Sequence, residues 1–124
     1  MPLVLFRPRR ALPLITAALA LLQPLYGYSV LTHEAVIDAL WDVELKPVLR
    51  ARFPNATPQE LKTAHGFAYG GAIIQDLGYY PHGSKKFSDL THYVRTGDFI
   101  RALIAESQTL NEYAFALGAL SHYV

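Results

Sequence analysis

The chain has 124 residues, 52% of them hydrophobic, which is enough for one buried core and too little to suggest two domains. It has no cysteine, which excludes a disulfide framework and a thiolate zinc site, so a bound metal must be held by His, Asp, Glu or main-chain groups. The formal charge of +1 is unevenly spread: Arg7, Arg9 and Arg10 all precede residue 28, after which 8 Lys+Arg face 10 Asp+Glu, giving no electrostatic basis for long-range attraction to nucleic acid.

The first 27 residues have the pattern of an export signal. A basic segment, RPRR, precedes a 12-residue apolar run from Ala11 to Leu22, shorter than the roughly 18–20 residues that span a bilayer. Cleavage after Gly27 makes Tyr28 the mature N-terminus and leaves residues 28–124 as the folded part. Residues 28–31 read as a short extended lead. Thr32 then caps a helix that starts at His33 and runs to Trp41, which puts His33 in its first turn. Asp42 and Pro47 interrupt the pattern before a short helix that turns Val48, Leu49 and Phe53 toward the core, ended by Pro54 and Asn55.

Thr57, Pro58 and Glu60 form a helix start in which Thr57 and Glu60 can cap each other's main chain and Pro58 loses no hydrogen bond. The expected helix reaches about residue 77 and aligns His65, Tyr69, Ala72 and Asp76 on one face. Gly70 and Gly71 in mid-helix cost about 1 kcal/mol each relative to alanine, which implies close approach by a neighbouring helix or by a ligand. Residues 78–84 form a Gly- and Pro-containing loop that holds His82. A helix over residues 89–95 carries His92, Asp98 caps the next one with Phe99, Leu103 and Ile104 as its buried stripe, and a last helix from Glu112 aligns Tyr113, Leu117 and Leu120 and carries His122. It has no stop signal, which leads us to expect a fragment of a longer protein, truncated at the C-terminus. No strand alternation is present, so the fold class is all-α, a helical bundle.

Asp76 is the acid that needs explaining, because a carboxylate among Ala72, Ile73, Ile74 and Leu77 is costly to bury without a cation, a donor or a proton. Tyr69, Tyr79 or Lys85 can each compensate it. His92 can pair with Asp89 on its own helix, His33 can make a local hydrogen bond, and His122 can be a plain terminal residue. His65 is about 16 Å from Asp76 along the helix, too far to share one ion. Yet His33, Asp76, His92 and His122 come from four different helices, which is how bundles assemble metal sites. Cysteine-free His/Asp ligation suits zinc in a hydrolytic site.

The segments YSVLTHEAVID, GGAIIQDLGYYPHGS, LTHYVRTGDF and NEYAFALGALSHYV, taken together, resemble the bacterial zinc-dependent phospholipase C family, which shares a superfamily with P1/S1-type nucleases. The resemblance runs from Tyr28 to Val124 and corresponds to the N-terminal portion of such proteins. It implies an all-α fold around a cluster of up to three Zn2+ ions. Tyr28 takes the place of the family's N-terminal Trp, which binds zinc through its free amine and carbonyl, and His33 that of the histidine shortly after. Asp76 matches an aspartate that is both a metal ligand and the proposed catalytic base on the attacking water; His92 matches the next histidine ligand. His122 matches the first residue of an His-x-x-x-Asp pair, whose aspartate would fall beyond Val124. The metal set is thus Tyr28, His33, Asp76, His92 and His122, about half of the family's site, and the chain as it stands is expected to load metal incompletely and turn over little.

The implied function is an exported, secreted or periplasmic zinc-dependent phosphodiester hydrolase acting on phospholipid, with possible contact to a membrane surface. The alternatives are a P1/S1-type nuclease, with nucleic acid as partner, and a non-catalytic secreted helical domain that binds metal or a partner.

Overall fold

The computed structural model describes residues 26–123, with side-chain surroundings from Ser29 onward. The leader expected over residues 1–27 therefore lies outside the described residues except for Tyr26 and Gly27. Every regular element among the described residues is helical. Helix α1 (Tyr26–Leu40) passes through a π-helical turn (Trp41–Leu45) into α2 (Lys46–Arg52). Helix α3 (Pro58–Ile73) tightens into a 3-10 segment (Ile74–Tyr79), α4 (Lys85–Asp89) widens into a second π-helical turn (Leu90–Val94), and α5 (Thr96–Glu106) and α6 (Leu110–Ser121) complete the bundle.

Several boundaries differ from the sequence-based expectation. Residues 28–31 are not an extended lead, because α1 begins at Tyr26, so Thr32 lies within the helix rather than at its start and His33 lies in the second turn. A cross-helix contact anchors that extra turn: the Ser29 hydroxyl donates to Asp76 at 3.0 Å. Asp98 does not cap α5, which starts at Thr96; it pairs instead with Arg95 at 3.1 Å and Arg101 at 2.6 Å. Ile100 is the buried residue of that helix, with Phe99, Leu103 and Ile104 half-buried. The helix carrying His92 starts four residues early because Ser84 caps it by accepting from the Phe87 N–H. Helix α6 starts at Leu110, where Thr109 and Glu112 form a capping box equivalent to that of Thr57 and Glu60, which formed as expected. Val48 and Leu120 point outward rather than into the core.

The centre of the bundle is the crossing of α3 and α6, its most extensive helix contact, against which α1 also packs. Ala64, Ala68 and Ala72 on α3 meet Ala114 and Leu117 on α6, while Ile37, Trp41, Leu45 and Leu49 cover one side. Burying Ile37 and Leu49 completely contributes about 2–3 kcal/mol each, but the small residues determine how near the two backbones come. A methyl group at Gly71 would collide with the Phe115 carbonyl and the Ala119 amide, and one at Gly118 with the Ala68 carbonyl. Of the two glycines expected to permit a close approach, Gly71 does so, to a helix, and Gly70 does not. A methyl group added at Gly70 would lie 3.6 Å from the Phe115 ring, an ordinary contact.

These contacts sort the glycines of α3 by sign. Gly71→Ala, and likewise Gly118→Ala, should destabilise the fold by about 1–3 kcal/mol or more, since only backbone could yield. Gly66, which is exposed with nothing within 4 Å of an added methyl, should gain about 0.5–1 kcal/mol on replacement by alanine. Urea denaturation of the three variants checks this; equal effects at Gly66 and Gly71 would remove the crossing from its central place.

Candidate metal centre

At the end of this crossing, helix ends turn chemistry-bearing side chains toward one another. Helix α3 gives way to the 3-10 segment after Ile73, where the Ile74 N–H donates to the Gly71 carbonyl. The Ala72 carbonyl accepts from His122 Nδ1 at 2.7 Å. The following 3-10 segment is pinned on both sides of the chain: the buried Gln75 side chain donates to the Ala119 carbonyl at 2.9 Å, and the Ser88 hydroxyl donates to the Gln75 carbonyl. Asp76, the next residue, is held in place by these bonds. On the facing element, His92 sits in the π-helical turn closed by the Arg95 N–H on the Leu90 carbonyl at 2.7 Å, and its Nδ1 lies 2.7 Å from the Ser88 carbonyl.

A carbonyl only accepts, so the Nδ1 of each imidazole carries a proton, and in the neutral ring the Nε2 presents a lone pair. Those two Nε2 atoms are 3.0 Å apart. Asp76 Oδ1 lies 3.2 Å from His92 Nε2 and 3.7 Å from His122 Nε2, while Oδ2 lies 3.5 Å from His33 Nε2. The His33 and His122 rings stack at 4.2 Å. His33, Asp76 and His122 each contribute one ligand atom to a group lying within 4.8 Å of one another, and His92 adjoins it through His122 and Asp76. Burial, above all, holds His122 below the ordinary imidazole range, assisted by the charges of His33 and His92 and opposed by the Ala72 carbonyl and Asp76. Its neutral form, the one that binds metal, is thereby favoured.

Three acceptor atoms converging at this spacing repel one another unless a proton or a cation lies among them. Two ligands at about 2.1 Å from a tetrahedral zinc are roughly 3.4 Å apart, and the observed separations bracket that value. The residues therefore fit zinc in donor type, tautomer and spacing.

The bland alternatives for Asp76 and His92 are occupied elsewhere. Tyr69 donates to Asp38, and Tyr79 and Lys85 both bond Asp89, at 3.1 and 2.6 Å. Asp89 is thus not the orienter of His92; Ser88 is. His65 stays apart, stacked on Trp41 at 4.0 Å, and His82 lies exposed at the loop tip with φ of 67°. Tyr28 falls in the first turn of α1. Ser29 was not singled out from the sequence, although its spacing of four residues from His33 puts both on one helical face. Ser29 and Asp76, with Tyr79 and Tyr80, line a cavity of about 140 Å³.

A family model described as zinc dependent phospholipase C matches residues 32–124. No curated protein and no solved structure matches the chain.

Zinc titrated into the protein should bind more weakly as pH falls, because protons compete for the same nitrogens, and on that acid side should release protons, seen as a dependence of calorimetric heat on buffer ionisation. His92→Ala and His122→Ala should each weaken binding at least about tenfold, and His65→Ala should leave it unchanged. Equal zinc affinity in all three variants would dissolve the site.

Proposed function

The chain belongs to the zinc dependent phospholipase C family, and from that premise we propose that it is an exported hydrolase that cleaves phospholipid at the phosphodiester, with Asp76 as base and His33, Asp76, His92 and His122 as metal ligands. The observation that carries this reading is the convergence of two carbonyl-oriented imidazoles on Asp76, with their Nε2 atoms 3.0 Å apart. Tyr28 completes the proposed ligand set through its carbonyl and its amine, the latter to be freed by removal of residues 1–27. Zinc held there would supply positive charge for the phosphoryl oxygens and lower the pKa of water to about 7.

The protein's own groups have separable tasks. Asp76 uses its two oxygens differently: Oδ2 takes the Ser29 hydroxyl at 3.0 Å, fixing the carboxylate plane, and Oδ1 faces His92 and His122. From that position Asp76 takes a proton from the water that attacks phosphorus. A P–O bond from water forms, the P–O bond to the leaving alcohol breaks, and the proton ends on that alcohol. Tyr79, beside the same cavity, stays protonated, since desolvation first and its bond to Asp89 next push its hydroxyl up to about 12. It therefore acts as a neutral wall rather than as a base.

A lipid substrate also fits the surface next to the site. Leu77 follows Asp76, and Tyr93 and Val94 follow His92; all three are exposed, Tyr93 at 77% and Val94 at 68%. Large apolar side chains beside tyrosine, flanking a site, suit the interfacial zone of a bilayer.

Protein expressed from the complete reading frame, signal-processed and zinc-loaded, should release phosphorylated headgroup from phosphatidylcholine and lose this activity to a chelator. Asp76→Asn should lower the rate by roughly 10²-fold or more. A zinc-loaded protein inert on lipid but active on single-stranded DNA would transfer the reading to a nuclease, and one inert on both would end it. Tyr93→Ser combined with Val94→Ser should slow hydrolysis of bilayer lipid severalfold and spare a short-chain soluble phospholipid; equal rates on both substrates would remove the interfacial role.

A further inference from the structure

A second cluster of chemically active side chains lies at the other end of α1 and contributes nothing to the site above. Trp41, Lys46, Arg50, Lys62 and His65 line a cavity of about 390 Å³, together with Pro58 and Leu61. The lining draws on three segments, the π-helical turn, α2 and the first two turns of α3. It contains three Lys or Arg side chains and a histidine but no carboxylate.

The charges around it are only partly answered. Lys46 is paired with Asp42 at 2.7 Å, within its own turn of helix. Arg50 and Lys62 have no ion pair among the described residues. His65 Nε2 is buried without a hydrogen bond: Asp38 Oδ1 is 3.1 Å away but off the line such a bond needs, and the same oxygen already accepts from Tyr69. Nε2 itself is closed to solvent, so it is the unpaired Arg50 and Lys62 that an oxygen-rich anion in the cavity would answer. Arg50 supplies a planar fork suited to two oxygens of one tetrahedral anion, and Lys46 and Lys62 supply point charges. Trp41 is stacked on His65, with ring planes 8° apart, and gives the cavity a rigid wall.

We propose that the cavity formed by Trp41, Lys46, Arg50, Lys62 and His65 is a binding pocket for a phosphate-bearing anion, separate from the centre around Asp76. The phosphate can come from a free phosphomonoester or from the headgroup of an anionic lipid, and the pocket chemistry is common to both. The assignment does not depend on the hydrolytic reading, since none of its residues belongs to that site.

Trp41 is the protein's single tryptophan, so its emission reports on this cavity directly. With metal removed by chelator, the full chain is titrated with inorganic phosphate and with glycerol 3-phosphate, against chloride at matched ionic strength. It is also titrated with vesicles of phosphatidylglycerol and of phosphatidylcholine. A saturable change with the soluble phosphates identifies the free anion as ligand; a change with phosphatidylglycerol vesicles alone identifies the headgroup. In either case Arg50→Gln with Lys62→Gln should weaken the response at least about tenfold, and Lys62→Arg should retain it, while zinc affinity stays that of the wild type in both. Far-ultraviolet circular dichroism verifies that the variants are folded. A phosphate response no greater than that of chloride with no vesicle response, or full binding in the folded double variant, overturns the proposal.

Discussion

The structure depends on how closely α3 and α6 approach. Gly71 and Gly118 leave no room for a methyl group at their respective contacts with the other helix's backbone, so any side chain at either position would push the helices apart. That spacing brings the C-terminal carbonyls of α3 within reach of α6: the Ala72 carbonyl meets His122 Nδ1 at 2.7 Å. One steric constraint therefore sets both the packing of the core and the orientation of an imidazole. Alanine-rich faces bury little apolar area per residue, and their advantage lies in the many short dispersion contacts that a close crossing allows.

The same geometry supplies the neighbouring polar network. Gln75, fully buried, bonds the Ala119 carbonyl on α6, and the Ser88 hydroxyl bonds the Gln75 carbonyl. Ser88 uses its own carbonyl to hold His92. The segment carrying Asp76 is thus joined to His92 through Ser88 by two hydrogen bonds, rather than by direct contact alone. The π-helical turn at Leu90–Val94 widens the backbone where His92 must turn inward, a common use of such turns. Asp76 emerges from a 3-10 segment rather than from an α-helix, which leaves it free of the α3 face on which the sequence pattern had put it.

Much of this was legible in the sequence. The helical class, the Thr57–Glu60 capping box and the need for close approach at Gly71 all followed from local patterns, while Gly70 has room for a methyl group. The four side chains singled out as candidate ligands, His33, Asp76, His92 and His122, lie together. The start of α1 was misread because the turn before Thr32 is held by Ser29 on Asp76, a partner 47 residues away. The starts of α4 and α6 were misread although Ser84 and Thr109 carry local capping signals. Asp98 was misassigned because an acid in the first turn of a helix has the same composition signature as one at its cap. The Asp38–His65–Tyr69–Trp41 cluster passed unnoticed, since no single-helix period joins Asp38 and Trp41 to His65 and Tyr69 on another helix.

The sequence by itself determined the helical class, the caps, and the exclusion of thiolate chemistry, because these depend on residue type and on spacings within one helix. Only the tertiary structure decided which donors meet, and which nitrogen of His122 faces the Ala72 carbonyl that orients it. Those outcomes depend on the distance between helices, and that distance is fixed by the absence of two methyl groups at Gly71 and Gly118, where each helix contacts the other's backbone.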